Sequence, residues 1–203
     1  MSIKLHLFSL VNFNASSGEI VFTSLSASAT KFCGDFIIIT IYILNKYYKF
    51  IKLKNMKKAR NFKLQSTNKD IVELKKIKNK YVVIYFYPKD DTPGCTIETN
   101  DFNRLLPKFK KLDCLILGIS KDDLKSHNKF KKKYKVKFDL LADEKKDAIK
   151  AYKVWGKKKF MGKEFLGLIR STFVIKNNKI IKEWRSVKVK DHAKEVLNFI
   201  KNY

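Results

Sequence analysis

The stretch Tyr81–Cys95, "YVVIYFYPKDDTPGC", decides how this chain is read. Its first seven residues are β-branched or aromatic without a polar break. That continuous pattern predicts a strand buried on both faces rather than one alternating between core and water. Pro88 ends the strand, because proline cannot donate to a sheet ladder. Asp90, Asp91, Thr92, Pro93 and Gly94 are turn residues. From Thr96 there are few helix breakers until Pro107, which places Cys95 in the first turn of a helix. Unpaired N–H groups and the helix dipole gather there and favour an anion. A thiolate is the nucleophilic form of cysteine, so the turn delivers a sulfur where its reactive form is favoured.

Reading outward, regular elements begin near Phe62. "DIVEL" (Asp70–Leu74) alternates like an edge strand, and "CLILGI" (Cys114–Ile119) is a second buried run. Ser120 and Asp123 fit a capping box that opens a lysine-rich helix to about Tyr134. "FDLLAD" reads as a short strand, and Asp143 as the cap of a helix from Glu144 to about Tyr152. "STFVIKNNKIIKEW" reads as a hairpin turning at Asn177-Asn178. Asp191 caps a last helix with Ala193, Val196, Leu197 and Ile200 on one face. Strands alternating with helices predict an α/β fold with a central sheet and helices packed on it.

Residues 1–60 form an extension ahead of a domain at 61–203. Up to Gly34 the extension is serine-rich with Glu19 as its one acid, and "FIIITIYIL" (Phe36–Leu44) and a basic stretch follow. The apolar run is shorter than the roughly 20 residues that span a bilayer. Three readings stand: a targeting segment, a membrane-proximal segment, or a disordered leader with Met56 as the true start.

The 203 residues, 45% hydrophobic, suffice for one core plus an appendage. Cys33, Cys95 and Cys114 have no paired spacing, which excludes a disulfide framework and a zinc site. This usage fits a reducing intracellular compartment. His6, His127 and His192 read as surface or core residues. The formal charge of +26 invites nucleic acid as a partner. Only Arg60, Arg104, Arg170 and Arg185 are arginine, however, and the lysine excess equally fits an AT-rich coding sequence. The run Lys129–Lys137 reads as the solvated face of a helix and its exit.

The spacing Pro88-x-x-x-Thr92-x-x-Cys95 resembles the signature of the peroxiredoxins. "FYPKDDTPGCTIE" resembles their peroxiredoxin Q, or bacterioferritin-comigratory-protein, branch. "LGISKDDLKSHNKFKKKYKVKFDLLAD" and "VWGKKKFMGKEFLGLIRSTFVI" resemble the same branch, so the likeness covers about Phe62 to Tyr203.

The resemblance implies a thioredoxin-like fold, a central mixed sheet with helices on both faces. It implies thiol-dependent reduction of hydrogen peroxide and organic hydroperoxides, with no bound cofactor. It places the peroxidatic role on Cys95, a hydrogen bond to thiolate and peroxide on Thr92, shielding from water on Pro88, and charge stabilisation on Arg170. Glu98 stays open between orienting the arginine and capping the helix, and Trp155 reads as packing. Many members of the branch carry a second cysteine five residues after the first; here that position is Asn100. Recycling by an external thiol, thioredoxin or glutathione, is therefore expected, in a monomer.

The nucleus, the cytoplasm and a plastid-type organelle reached through the extension are the compartments considered. Two other readings remain: a basic nucleic-acid- or chromatin-associated protein on the same scaffold, and a redox sensor passing oxidation to a partner.

Overall fold

A computed structural model describes residues 11–14, 19–22, 44, 56–160 and 163–203. The chain divides into two compact units, Met1–Ile51 and Lys52–Tyr203. In the first, β1 (Val11–Asn14) and β2 (Glu19–Phe22) pair antiparallel. The apolar run up to residue 43, the basic stretch 45–55 and Cys33 lie outside the described residues. Among the described residues no helix is long and apolar enough to cross a membrane.

The second unit contains β3 (Lys63–Ser66), β4 (Ile71–Glu73), β5 (Tyr81–Phe86), α1 (Pro93–Lys110), β6 (Cys114–Ser120), α2 (Leu124–Lys133) and β7 (Asp139–Ala142). It continues with α3 (Asp147–Ala151), β8 (Trp155–Phe160), β9 (Lys163–Leu168), β10 (Ser171–Lys176), β11 (Lys179–Arg185) and α4 (His192–Asn202). Seven strands form one sheet in the order β11-β10-β5-β6-β7-β3-β4. The sheet is mixed: β5, β6 and β7 run parallel, while β10 and β3 join antiparallel on either side.

All six residues of β5 are buried, as the unbroken apolar run requires. Tyr81, Val83, Tyr85 and Tyr87 pack on one side against Phe102 and Phe109 of α1, Phe130 of α2, and Val196 of α4. Val82, Ile84 and Phe86 pack on the other side against Ile149 of α3, Tyr152 and Phe173. Each such side chain contributes roughly 1.5–3 kcal/mol by leaving water. Helices on both faces of a mixed sheet are the thioredoxin-like arrangement.

Several local readings need correction. Ser120 does not open a capping box. It is the buried end of β6, and its hydroxyl donates to Asp122 Oδ2 at 2.8 Å. Asp123 itself is the cap, accepting from the Ser126 N–H at 2.7 Å, because the helix begins after it. The next helix starts at Asp147 rather than Glu144. Asp143 still serves it, accepting from the N–H groups of Asp147 and Ile149, each at 2.8 Å. Asp191 sits at the N-cap of α4 without a side-chain cap bond, with φ at 59°. Pro107 does not end α1, which runs on to Lys110.

The Asn177-Asn178 turn forms with φ of 49° and 58°. Two elements carry no signal in the residue pattern. The β8–β9 hairpin is hidden by its lysines, and β3 ("KLQS") is too short and polar to signal itself. Segment 57–59, on the extension side of residue 60, adds to the sheet. Ala59 N–H donates to Asn178 O at 2.8 Å and Ile180 N–H to Lys57 O at 2.9 Å, and Ala59 and Phe62 are buried. The exposed lysines at 125, 129, 132, 133, 135 and 137 line the outer side of α2 and its exit.

Candidate active site

The site lies beyond the carboxyl end of β5, where open α/β sheets collect their functional groups. Pro88 leaves the strand half-buried, and the next residues turn back into α1. The turn is anchored from beneath. The Asp90 carboxylate accepts from Tyr87 OH at 2.7 Å and from Ser126 OH at 2.7 Å, and faces His127 Nδ1 at 2.8 Å. The other ring nitrogen of His127 faces Leu141 O at 3.2 Å. His127 and His192 are both buried, the core outcome of the two readings. Asp91, at φ 56°, is clamped on the outside by Lys133 Nζ at 2.7 Å and Tyr134 OH at 2.5 Å.

Thr92 is extended, at φ −92° and ψ 149°, and Pro93 opens the helix. The Thr92 hydroxyl donates to Lys89 O at 3.0 Å, so in this state it is turned to the backbone of its own turn rather than to sulfur. Cys95 follows in the first turn of α1, with 1% of its surface exposed.

Arg170 reaches the same point from the junction of β9 and β10. Its Nη2 donates to Cys95 Sγ at 3.3 Å, and its Nη1 pairs with Glu98 Oε2. Gly94 leaves room for this guanidinium: a Cβ there would lie 3.3 Å from Arg170 Nη2. Glu98 stands one helical turn after Cys95, so both face Arg170. It thereby orients the arginine, the first of the two roles left open for it. Burial pushes the Glu98 carboxyl up to about 7, against the opposing pull of Arg170. Its second oxygen, Oε1, is buried and finds no partner among the described residues. Burial works against the charge of Arg170, yet Glu98 and Cys95 together hold its pKa above the ordinary value.

Cys114 is remote from this point. It pairs in register with Tyr81 at the far end of β5. The five steps from there to Phe86 span ~16 Å at ~3.3 Å per residue. A disulfide needs Cα atoms within ~7 Å. Burial also pushes the Cys114 thiol up to about 12. Asn100 is exposed on α1. Trp155 is partly buried against the core, with the Lys146 ammonium 4.3 Å above its ring.

Residue pattern alone missed the Asp90–His127 anchor. No spacing rule joins two residues so far apart in sequence, although Asp90 is legible as a turn residue. The placement of Arg170 beside Cys95 also has no local signal, since both reach the site only through the β5–β10 pairing.

The AhpC/TSA family model matches residues 56–184. Peroxiredoxin Bcp of Bacillus subtilis is 47% identical over 146 residues, covering 71% of this chain and 93% of its own length. The chloroplastic peroxiredoxin Q of rice (Oryza sativa subsp. japonica) is 42% identical over 125 residues, covering 61% of this chain and 54% of its own length. Among solved structures, Xanthomonas campestris bacterioferritin comigratory protein, studied for its alkyl peroxide reduction activity, superposes with a TM-score of 0.66 at 40% identity. That match covers 70% of this chain and 90% of the other. A turn carrying Cys95, an arginine brought to its sulfur and these relatives agree: the chain belongs to the AhpC/TSA family, in its peroxiredoxin Q and bacterioferritin-comigratory-protein branch.

Proposed function

We propose that this chain is a thiol peroxidase in which Cys95 attacks the peroxide and an external thiol returns it to the reduced state. The observation that carries this reading is the 3.3 Å approach of Arg170 Nη2 to Cys95 Sγ at a helix N-terminus. The Cys95 thiolate attacks one peroxide oxygen. An S–O bond forms as the O–O bond breaks, giving Cys95 sulfenic acid. The departing hydroxide or alkoxide takes a proton from solvent. Arg170 and the N–H groups of Gly94 and Cys95 stabilise the charge that grows during this step. Arg170 keeps its own charge at any working pH.

Thr92 turns its hydroxyl from Lys89 O toward the peroxide when substrate enters, a single χ1 rotation. Pro88 keeps water from the sulfur. Hydrogen peroxide and alkyl hydroperoxides are the substrate class, and the Xanthomonas relative's alkyl peroxide activity supports the second.

Recycling runs through one cysteine of the chain. Asn100 has no sulfur, and Cys114 is too far away, with its thiol held in the protonated form, to resolve a sulfenic acid. In this reading thioredoxin or glutathione attacks Cys95 directly, in a monomer that carries no bound cofactor. A sulfenic acid that waits for an outside thiol is open to further oxidation to sulfinic acid. For residues 1–55 an addressing role is proposed. The rice relative, whose name places it in chloroplasts, also extends well beyond the length it shares with this chain.

The test is Cys95→Ser. Serine keeps the shape but forms neither thiolate nor sulfenic acid, so the folded variant is expected to lose peroxide reduction. Turnover retained in that variant, with Cys33 and Cys114 intact, would remove Cys95 from the mechanism.

A further inference from the structure

Arg170 serves two acids at once. Its Nη2 donates to Cys95 Sγ at 3.3 Å, and its Nη1 pairs with Glu98 Oε2. Cys95 and Glu98 are each only 1% exposed. Three groups face the Glu98 carboxyl: Arg170 from the junction of β9 and β10, Cys95 from the preceding turn of α1, and Tyr85 from β5 beneath. The Tyr85 hydroxyl lies 3.0 Å from that of Thr99, and burial keeps it neutral. Among the described residues no second cation pairs with Glu98.

One guanidinium carries one positive charge. Two buried anions sharing it would leave a negative charge unmatched, which costs far more than burying a neutral polar group. Two acids coupled in this way titrate as a pair, so one proton stays at the site while the sulfur is ionised. The carboxyl is the side that keeps it. Glu98 Oε1 is buried without a partner among the described residues, so an ionised carboxylate would leave a charged oxygen unmet. Burial already pushes this carboxyl up to about 7 against the pull of Arg170. A thiolate drawing on the same guanidinium weakens that pull further. Oxidation of the sulfur to sulfenic acid removes its charge and leaves the guanidinium to the carboxylate alone.

We propose that Glu98 is a proton reservoir tied to the redox state of Cys95, holding a proton while the sulfur is a thiolate and releasing it when the sulfur becomes sulfenic acid. The inference rests on the reading of Cys95 as the peroxidatic thiol. As the S–O bond forms and the O–O bond breaks, the departing hydroxide or alkoxide takes one proton from solvent, and Glu98 gives one back. Re-reduction by two equivalents of thiol yields a disulfide, water, the Cys95 thiolate and one proton, which Glu98 takes up again. The site then holds one cation and one anion in both states, and Arg170 never lacks a counter-anion. Glu98 acts through Arg170 and need not touch the peroxide.

The experiment oxidises the full chain near neutral pH with one equivalent of hydrogen peroxide. Infrared difference spectra follow the carbonyl stretch of protonated carboxyls, and a pH indicator in weakly buffered solution follows net proton uptake. Dimedone trapping with mass spectrometry counts the sulfenic acid at Cys95. Glu98→Gln keeps an acceptor for Arg170 but has no proton to release, so it separates orientation from proton storage. Wild type is expected to lose a protonated-carboxyl signal on oxidation and to show almost no net proton uptake. Glu98→Gln should show no such signal, retain the ultraviolet absorbance of the thiolate, and take up about one proton per sulfenic acid formed.

A wild-type carboxyl signal that is missing in the reduced protein, or that persists through oxidation, would overturn the proposal. So would equal proton uptake by the two proteins. The wild-type spectrum decides the matter even if Glu98→Gln fails to fold. If wild type forms no sulfenic acid at Cys95 at all, the reading of Cys95 falls first and takes this inference with it.

Discussion

Arg170 and Cys95 stand 75 residues apart in the chain, yet the guanidinium Nη2 of one donates to the sulfur of the other at 3.3 Å. The antiparallel pairing of β10 with β5 makes the contact, because Ser171 falls opposite Phe86 and so brings Arg170 to the turn after β5. Replacing Arg170 with Met is expected to slow oxidation of Cys95 by ~10²-fold or more, as loss of one transition-state donor typically does. Stopped-flow measurement of the second-order rate checks this. A rate within about twofold of wild type would take Arg170 out of the chemistry.

Gly94→Ala separates stability from activity. Alanine favours a helix by about 0.5–1 kcal/mol over glycine, but its Cβ would stand 3.3 Å from Arg170 Nη2. The expected variant is at least as stable as wild type to denaturant and several-fold slower in Cys95 oxidation. A variant of unchanged rate would show that the guanidinium has room to give.

Glu98 links the site to pH. Its ordinary value is 4.5 and burial raises it to about 7 in the fold. The folded state thus holds the proton more tightly than the unfolded chain. Its stabilising contribution is complete below 4.5 and is lost as pH rises through about 7. Over that window wild type should lose stability on the order of 3 kcal/mol relative to Glu98→Gln, which has no proton to release. Denaturant titrations of both proteins at pH 4.5 and pH 8 give the comparison. Parallel curves would show that Arg170 keeps Glu98 ionised throughout.

Asp90→Ala removes the acceptor beneath the turn. Tyr87, Ser126 and His127 then lose a partner within the core, and each buried polar group left unpaired costs about 1–3 kcal/mol. A loss of about 3 kcal/mol or more is expected in urea denaturation, with slower peroxide reduction because the turn carrying Cys95 loses its anchor. A loss under 1 kcal/mol would mean that water replaces the carboxylate.

Two truncations locate the start of the folded domain. A chain beginning at Met56 keeps the pairing of 57–59 with β11 and should unfold cooperatively and remain active. One beginning at Phe62 loses that pairing and the buried Ala59, and is expected to be less stable. Equal stability of the two would show that segment 57–59 adds nothing.

How much of the fold the residues reveal follows the strength of local signals. Tyr81–Tyr87 announces a doubly buried strand because every position is apolar, and Asn177-Asn178 announces a hairpin because both residues tolerate positive φ. The β8–β9 hairpin is silent: Lys157, Lys158 and Lys159 mask any alternation, and among the described residues its two strands pair only with each other. At the site, Cys95 was legible from the turn that precedes it. Arg170 was legible only through the family resemblance, since alone it reads as a charge flanking a strand. Thr92 was legible only through the same resemblance, and the direction of its hydroxyl, toward Lys89 O at 3.0 Å, has no signal in the residue pattern.

In the proposed cycle one cysteine of this chain suffices for complete turnover. A Cys33→Ser/Cys114→Ser variant, in which Cys95 is the only remaining cysteine, tests it most directly. Peroxide consumption is followed with the thioredoxin or the glutathione system supplied. Turnover within about twofold of wild type with at least one of these reductants is the predicted result. Collapse of turnover, with mass spectrometry of the oxidised wild type showing Cys95 bonded to Cys33 or Cys114, would overturn the one-cysteine cycle and name that partner as the resolving residue.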